Sequence, residues 1–259
     1  MAFDAGVRNA DTVNFLDLQF SGLDLDGALD AISVRASLDL PFAYVATPNV
    51  DHVVGLANEP GRRALYDNAW MLLNDSRVLK GLARKAKINL PVAPGSDIAE
   101  HLFDTVIDKH EPITIIGGDR DSIEALKRVY DLRDVRWHEP PMNLKQKPGA
   151  VVRAAAFAAA QPSRFTFICV GAPQQEMIAY AIAQHGGARG VGLCVGAALN
   201  FLSGSAKRAP KWMQAMGLEW LHRLVSEPGR MWKRYLVTGP KVFSLFSEWR
   251  AAMAAATSA

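Results

Sequence analysis

The chain has 259 residues, 49% of them hydrophobic, and a formal net charge of only +3. It can therefore bury a large core, and it is not a generally basic protein of the kind that binds nucleic acid. No apolar run reaches the roughly 20 residues of a membrane-spanning helix. We expect no secretory signal at Met1–Asp4. Cys169 and Cys194 both lie in apolar runs, which favours reduced thiols and a cytoplasmic location.

The first elements along the chain are predicted to be an edge strand over 14–20 and a helix over 24–36, with Asp24 as its N-cap. Five short runs follow that are apolar at nearly every position, which is typical of strands buried on both faces of a parallel sheet. The five runs are Phe42–Ala46, Met71–Leu73, Ile113–Ile116, Phe165–Val170 and Val191–Val195.

Amphipathic stretches between these runs are predicted to be helices. They are Arg77–Lys87, Asp97–Lys109, Asp121–Tyr130, Ala150–Ala160 and Gln174–His185. Strands that alternate with helices indicate right-handed crossovers and a doubly wound, mostly parallel, Rossmann-like α/β sheet. The turn Glu139–Asn143 divides the pattern into two similar halves.

The strand pattern ends before residue 205, so we predict an α/β core over 1–204 and a helical appendage over 205–259. The appendage should hold two helices, Pro210–Val225 and Gly229–Arg250, separated at Glu227-Pro228. On the second helix, the spacing of Arg230, Arg234 and Lys241 predicts a shared face.

Charge and tryptophan are concentrated in this appendage. Between Ser205 and Arg250 there are nine Lys/Arg residues against three Glu, and four of the six tryptophans. Arginine matches phosphate oxygens and tryptophan prefers the headgroup level of a bilayer, so the segment suits an anionic ligand at a membrane surface. A solvated amphipathic helix with its tryptophans in the core is the alternative.

Ligands of open α/β sheets bind beyond the carboxyl ends of the strands. The predicted strands are followed by polar or small residues that suit such a site, although ordinary turns use the same residues. The candidates are Thr47, Asn49, Asp75, Gly171, Gln175 and Asn200.

Several signatures of other enzymes are missing. The chain has neither a G-x-G-x-x-G fingerprint nor a G-x-x-x-x-G-K-[ST] loop, and its six histidines lack metal-ligand spacing. No D-x-D pair follows a strand. We therefore expect no metal and no cofactor.

Three groups of residues, taken together and in order, resemble the WecG/TagA/CpsF family of bacterial glycosyltransferases (glycosyltransferase family 26). They are Thr47-x-Asn49, the element Gly171–Glu176, and a C-terminal series that contains Arg208-Ala209-Pro210, Gly217–Trp220, Arg223, Glu227-Pro228, Arg230 and Arg234-Tyr235. The similarity runs from about Asn14 to about Lys241.

The resemblance implies an inverting, metal-independent transfer of a sugar from a UDP-sugar to a polyprenyl-diphosphate-linked saccharide. The sugar would be of the N-acetylmannosamine type, its uronic acid, or a hexose, and the product would serve surface polysaccharide synthesis. The resemblance also implies an enzyme on the inner face of the cell membrane, whose C-terminal arginines lie over the site and whose appendage contacts anionic lipid.

The chain departs from the family pattern at several positions. Where the family has Pro-Asp-Gly, this chain has Asn74-Asp75-Ser76. It has Val92 in place of an arginine, Asn200 in place of an aspartate, and Gln174 in place of a lysine. These changes affect phosphate clamping and donor identity more than the reaction class.

Asp75 is the predicted general base, because a one-step inversion needs a group that takes the proton of the acceptor hydroxyl. Its alternative role is to N-cap the helix that follows Ser76. Thr47, Asn49 and Gln175 are predicted to hold the donor's diphosphate and sugar, with Gly171 and Asn200 beside them.

Glu176 is predicted to be a first-turn helix acid rather than a ligand contact. Arg208, Arg223, Arg230 and Arg234 are predicted to bind the phosphates of donor or acceptor.

Two other functions compete with this one: a non-catalytic relative that binds sugar nucleotide or membrane, and another nucleotide-dependent α/β enzyme. Turnover of a UDP-sugar with a lipid acceptor separates them. The sugar, the acceptor and the formation of a homo-oligomer stay open.

Overall fold

The computed structural model describes residues 12–210, 212–213 and 216–257. Its main sheet has six strands in the order β4-β3-β8-β7-β5-β6, and every neighbouring pair is parallel. The strands are β3 Ala43–Ala46, β4 Met71–Leu72, β5 Ile113–Gly117, β6 Val135–His138, β7 Phe165–Cys169 and β8 Val191–Cys194. The predicted doubly wound α/β fold is confirmed.

The N-terminal segment forms a hairpin of its own rather than the predicted single edge strand. Strands β1 Thr12–Phe15 and β2 Leu18–Ser21 pair antiparallel in a separate two-stranded sheet. The turn between them consists of Leu16 and Asp17, whose φ angles are 49° and 59°. Two consecutive positive φ angles match the twist of a tight hairpin, and neither residue type signals them in the sequence.

Helices lie on both sides of the sheet. Asp24 caps the first of them as predicted, since its side chain accepts a hydrogen bond from the Gly27 N–H at 3.0 Å. The helices are α1 Leu25–Ala36, α2 Val50–Asn58, α3 Ala64–Asp67, α4 Arg77–Lys85, α5 Gly95–His101, α6 Arg120–Tyr130, α7 Pro148–Ala159, α8 Gln174–His185, α9 Ala198–Leu202, α10 Glu219–Ser226, α11 Pro228–Trp232 and α12 Lys241–Thr257.

Strand β6 and the helices α2, α3 and α9 escaped the sequence prediction, and β6 and α2 show why. Strand β6 lies at the sheet edge and all four of its residues are only partly buried, so its sequence Val-Arg-Trp-His is no apolar run. Helix α2 begins directly after Asn49, inside a stretch that was interpreted only as a strand-end turn. In both cases the position in the fold, rather than periodicity, determines the element.

Two hydrophobic layers cover the two faces of the sheet. Helices α2, α4, α7 and α8 contribute to one layer together with the β1–β2 hairpin, and helices α1, α5, α6 and α9 contribute to the other. Both cysteines are free thiols, and burial raises the pKa of Cys169 to about 12.

The C-terminal segment is more broken than predicted. Of the predicted helix 210–225, α10 forms the last part, and Gly217 precedes it with a φ of 73°. The predicted helix 229–250 divides into α11, a π-helical turn over Lys233–Thr238, and α12. Pro240 lacks an N–H, which favours the break. The shared face expected for Arg230, Arg234 and Lys241 on one continuous helix is therefore wrong.

Helix α12 packs against the N-terminal hairpin. The rings of Phe246 and Trp249 lie 6.0 and 5.3 Å from the ring of Phe15, and Val242 is buried beside them. The core interpretation of the tryptophans thus fits Trp249. In contrast, Trp212, Trp220 and Trp232 are 61%, 36% and 52% exposed. The division at residue 204 stays a proposal.

The hairpin contact of α12 can be tested with a matched pair of substitutions on that helix. Phe246 is 8% exposed and Phe243 is 55% exposed. We expect Phe246→Ala to lower the free energy of unfolding by about 3 kcal/mol, because it leaves a cavity under Phe15. Phe243→Ala should change it by less than about 0.5 kcal/mol. Urea unfolding measures both, and equal losses would contradict this packing.

Candidate active site

The sheet has a topological switch point, which we call the crevice, at the carboxyl ends of β3 and β8. These strands are neighbours, but the helices that follow them, α2 and α9, pack on opposite faces of the sheet. Such a divergence is where open α/β sheets bind ligands. The residues predicted from the strand ends, Thr47, Asn49, Asp75, Gly171, Gln175 and Asn200, lie at this edge of the sheet or in the first turns beyond it.

Thr47 links the two strands at the base of the crevice. Its hydroxyl donates to the carbonyl of Cys194 at 3.2 Å, and the side chain is 5% exposed. Gly95, the first residue of α5, lies so close that an added Cβ would be 2.8 Å from the Thr47 hydroxyl oxygen. The hydroxyl proton is thus engaged within the protein, which leaves Thr47 only an acceptor for a ligand.

Asn49 is the N-cap of α2. Its side-chain oxygen accepts from the Asp51 N–H at 3.0 Å and lies 2.9 Å from Nδ1 of His52. The backbone N–H of Asn49 lies 3.2 Å from the same nitrogen, which completes a capping box. These contacts fix the start of α2 and bring His52 to the crevice.

Asp75 follows β4 in a loop that its neighbours hold in place. The Asn74 side chain accepts from the Ser76 N–H at 2.9 Å and donates to the carbonyl of Pro91 at 3.0 Å. Ser76 caps α4 by accepting from the Leu79 N–H at 3.2 Å. The alternative role of Asp75 as the N-cap is therefore wrong, and Asn74 and Ser76 have structural tasks of their own.

The carboxyl of Asp75 receives no hydrogen bond from any residue that the structure describes. Its backbone N–H donates to the carbonyl of Pro48 at 3.0 Å, which holds it beside the end of β3. The surrounding protein removes enough hydration to raise the pKa of Asp75 to about 7. Arg223 and then His52 oppose this rise electrostatically, whereas Glu219 and Asp97 add to it. At neutral pH the group therefore exchanges readily between acid and carboxylate.

Two of the predicted arginines meet on one aromatic ring. The guanidinium carbons of Arg208 and Arg223 lie 5.9 and 5.3 Å from the centre of the Phe201 ring. They belong to a small opening that we call the arginine recess, lined by Ser96, Phe201, Lys207, Arg208, Ala209, Glu219, His222 and Arg223.

Arg208 is already paired with acidic side chains of the protein. Arg208 forms an ion pair with Asp97, lies 2.5 Å from a carboxylate oxygen of Glu100, and donates to the Ser96 hydroxyl at 3.2 Å. A phosphate at the arginine recess would have to compete with these two carboxylates. Arg223 forms no ion pair with any described residue, which makes it the more available cation.

The two remaining arginines are placed differently. Arg234 forms an ion pair with Asp51 in the first turn of α2 and lies 5.7 Å from the ring centre of Tyr235. It is not among the described residues of the arginine recess. Arg230 lies in α11, and its side chain is outside the described part of the chain.

Gly171 and Asn200 line the approach to the crevice. Gly171 is exposed after β7, and an added Cβ would meet no atom within 4 Å, so its backbone is open to a ligand. Asn200 is partly buried in α9, and its carbonyl accepts from the Ala206 N–H at 2.8 Å. Its side-chain amide has no hydrogen-bond partner among the described residues.

Gln175 and Glu176 begin α8 inside the protein. Gln175 is 3% exposed and Glu176 is fully buried. The Gln175 amide donates to a carboxylate oxygen of Glu176 at 2.7 Å, and Nε2 of His52 lies 3.2 Å from the same oxygen. Glu176 does occupy the first turn of its helix as predicted, but it is a buried partner of His52 rather than a surface acid.

Sequence reasoning missed the site roles of five residues. His52 and Glu176 come together only through the fold, although the Asn-x-x-His spacing could have indicated a cap at Asn49. No signal in the sequence brings Phe201, Glu219 and His222 together, because the arrangement of this ring and its neighbours depends on how α9 and α10 meet.

Within the described ranges, no three His, Cys, Asp or Glu side chains form a group that could hold a metal ion. No helix in those ranges has the length and apolar character needed to cross a membrane.

Comparison with known proteins assigns the family. The model of the glycosyl transferase WecG/TagA/CpsF family matches residues 13–255, so the chain belongs to that family. One similar curated protein is the N-acetylglucosaminyldiphosphoundecaprenol N-acetyl-beta-D-mannosaminyltransferase of Bacillus subtilis (strain 168). It is 27% identical over 146 residues, which cover 55% of this chain and 54% of that protein. The match thus spans about half the length of the curated relative.

The desolvation of Asp75 should make the free energy of unfolding depend on pH. Because the folded chain raises the pKa of Asp75 from its ordinary value of about 4 to about 7, its ionisation destabilises the fold as the pH rises through this window. We expect Asp75→Asn to be more stable than the wild type by about 1–3 kcal/mol at pH 8, and the gain to fade toward pH 4.

Urea unfolding across this pH range is the measurement. Asp39→Asn is the matched control, since the Asp39 side chain is 87% exposed. A stability difference between Asp75→Asn and wild type that stays constant from pH 4 to pH 8 would contradict the raised pKa.

Proposed function

We propose that this chain transfers a sugar from a UDP-sugar to a polyprenyl-diphosphate-linked saccharide, with inversion at the anomeric carbon. The observation that carries the proposal is the Asp75 carboxyl, which lies at the strand ends without a described hydrogen-bond partner and has a pKa raised to about 7. A general base works best when its pKa is near the working pH. Membership of the family supports the reaction class.

The printed name of the relative suggests the substrates. That protein is an N-acetyl-beta-D-mannosaminyltransferase acting on N-acetylglucosaminyldiphosphoundecaprenol. We therefore propose an N-acetylmannosamine-type donor sugar and a diphosphate-linked prenyl acceptor for this chain. The uronic acid of N-acetylmannosamine, or a hexose, is the alternative donor sugar. Transfer assays with each UDP-sugar decide among them.

In the proposed reaction, the Asp75 carboxylate takes the proton of the acceptor hydroxyl while that oxygen forms a bond to the anomeric carbon. The bond between this carbon and the UDP oxygen breaks on the opposite face, and the UDP leaves with the bonding electron pair. The attack from the opposite face inverts the configuration. Asp75 is well placed for the proton because no described group occupies its carboxyl.

Negative charge builds up on the departing diphosphate and needs positive partners. Arg223 is the first candidate, because it has no described ion pair and lies 5.3 Å from the Phe201 ring centre in the arginine recess. Arg208 can join it after exchanging Asp97 and Glu100 for phosphate oxygens. A guanidinium group that is already in position, as proposed for Arg223, stabilises a developing anion without further reorganisation.

These cations also support a reaction without a divalent metal. If arginines stabilise the leaving UDP, a chelator should not affect the rate. We expect the initial rate of transfer in about 5 mM EDTA to stay within about twofold of the rate without EDTA. Loss of activity in EDTA and its return on addition of Mn²⁺ would contradict metal independence.

The role of Asp75 is tested by a substitution that keeps its shape. We expect Asp75→Asn to lower turnover by about 10²–10⁴-fold, because the amide cannot take the proton. The wild-type rate should rise with pH through about 7, as Asp75 ionises. Release of UDP with a lipid acceptor measures both, and Asp39→Asn is the control.

Two outcomes would count against this assignment. Near-normal turnover of Asp75→Asn would remove Asp75 as the base. UDP-sugar binding by a wild-type chain that never transfers the sugar would favour the non-catalytic alternative.

We further propose that the C-terminal segment rests on an anionic membrane at the inner face of the cell. Its exposed apolar side chains lie among basic residues, a combination that favours the interface of a bilayer. The exposed apolar residues between 212 and 243 are Trp212, Met216, Trp220, Leu221, Val225, Trp232, Leu236, Val237 and Phe243. Exposed lysines of the same segment, Lys207, Lys233 and Lys241, supply charge.

Vesicle binding tests this contact. We expect replacement of Trp212, Trp220 and Trp232 by alanine to weaken binding to phosphatidylglycerol vesicles by about tenfold or more. Met142→Ala is the control, because Met142 is 83% exposed in the α/β core. Equal vesicle affinity of the triple variant and the wild type would show that the tryptophans do not contact lipid.

A further inference from the structure

Three side chains at the start of α8 and α2 form a buried polar cluster, made of His52, Gln175 and Glu176. Their exposed fractions are 8%, 3% and 0%. One carboxylate oxygen of Glu176 faces both neighbours, at 2.7 Å from Nε2 of Gln175 and 3.2 Å from Nε2 of His52. The transfer step proposed above uses none of these contacts. A fully buried carboxylate is costly to keep, which calls for a function.

The contact with Glu176 fixes the direction of the Gln175 amide. A carboxylate is only an acceptor, so the side of Gln175 that faces it at 2.7 Å has to be the donating NH₂ group. The opposite orientation would place two oxygen atoms in contact. The carbonyl oxygen of Gln175 therefore points away from Glu176.

This carbonyl oxygen, Oε1 of Gln175, is buried and has no hydrogen-bond partner among the described residues. It lies against Gly196, the first turn after β8, where an added Cβ would be 3.5 Å away. Gly196 has a φ of 54°, so this turn also requires an unusual backbone conformation. The oxygen thus faces the crevice end of β8.

We infer that Glu176 is a positioning residue that leaves Gln175 a hydrogen-bond acceptor only, so that Gln175 binds a hydroxyl or N–H of the donor's sugar and not the diphosphate. The inference rests on the proposed function, which supplies the UDP-sugar. The diphosphate of a UDP-sugar offers acceptor oxygens at neutral pH, and two acceptors cannot share a hydrogen bond. Gln175 therefore contributes to sugar specificity, and the arginines and helix N–H groups bind the diphosphate.

The same reasoning explains why Glu176 is an acid. A glutamine in its place could donate or accept, so the Gln175 amide could turn either way. With a carboxylate, only one orientation forms the hydrogen bond. His52 lies on the same oxygen and connects the cluster to Asn49, the cap of α2.

Calorimetric titration with two probes, UDP-N-acetyl-D-mannosamine and UDP, tests the inference on the full chain. The variants are Gln175→Ala, Glu176→Gln and the two combined. We expect each to weaken UDP-N-acetyl-D-mannosamine binding by about tenfold, and all to bind UDP within about twofold of wild type. The double variant should lose no more than Gln175→Ala alone, because Glu176 acts through Gln175.

Glu124→Gln is the matched control, since Glu124 is exposed and pairs with Lys127 at 3.1 Å. Equal weakening of UDP and UDP-N-acetyl-D-mannosamine by Gln175→Ala would overturn the inference, and so would losses that multiply in the double variant. Thermal unfolding reports whether Glu176→Gln folds. If it does not, Gln175→Ala alone still compares the two probes, because it keeps the Glu176–His52 pair.

The titration also separates this inference from the proposed function. A wild-type chain that binds UDP-N-acetyl-D-mannosamine, with variants that bind it equally well, overturns the role of Glu176 and leaves the proposed function standing. A wild-type chain that binds none of UDP-N-acetyl-D-mannosamine, its uronic acid and UDP-glucose overturns the proposed function and, with it, the inference.

Discussion

The site depends on the Asp75 carboxyl, which the surrounding protein desolvates without a hydrogen bond from any described residue. Asn74 and Ser76 use their side chains to hold the loop and to cap α4. The backbone N–H of Asp75 is tied to Pro48. These contacts of the loop bypass the carboxyl, and burial raises its pKa to about 7. A surface aspartate would be a far weaker base.

The C-terminal segment adjusts this carboxyl from the other side of the crevice. Arg223 lowers the pKa of Asp75 and Glu219 raises it, and both belong to α10. The charges that would meet a leaving diphosphate thus also set the ionisation of the base. A shift of α10 would change the pKa of Asp75 and the position of Arg223 at the same time. Closure of this segment over substrate would therefore couple proton transfer to phosphate binding.

Much of this architecture could be predicted from the sequence, for physical reasons that also explain the failures. The strands of the sheet interior are mainly apolar, and the acid after β4 follows from the rule that ligands bind at strand ends. Strand β6 and the hairpin turn at Leu16-Asp17 lack such a signal, because edge position and positive φ leave little trace in residue type. The pairing of Arg208 with Asp97 and of His52 with Glu176 joins residues more than 100 positions apart, which only the fold brings together.

The central claim is that burial makes Asp75 a base for neutral pH, with Arg223 holding its pKa down. The most direct measurement is a ¹³C NMR titration of the Asp75 carboxyl in the wild type and in Arg223→Gln. The account predicts a pKa of about 7 in the wild type and a higher value in the variant, because the arginine favours the carboxylate. An ordinary aspartate value of about 4 in both proteins would contradict it.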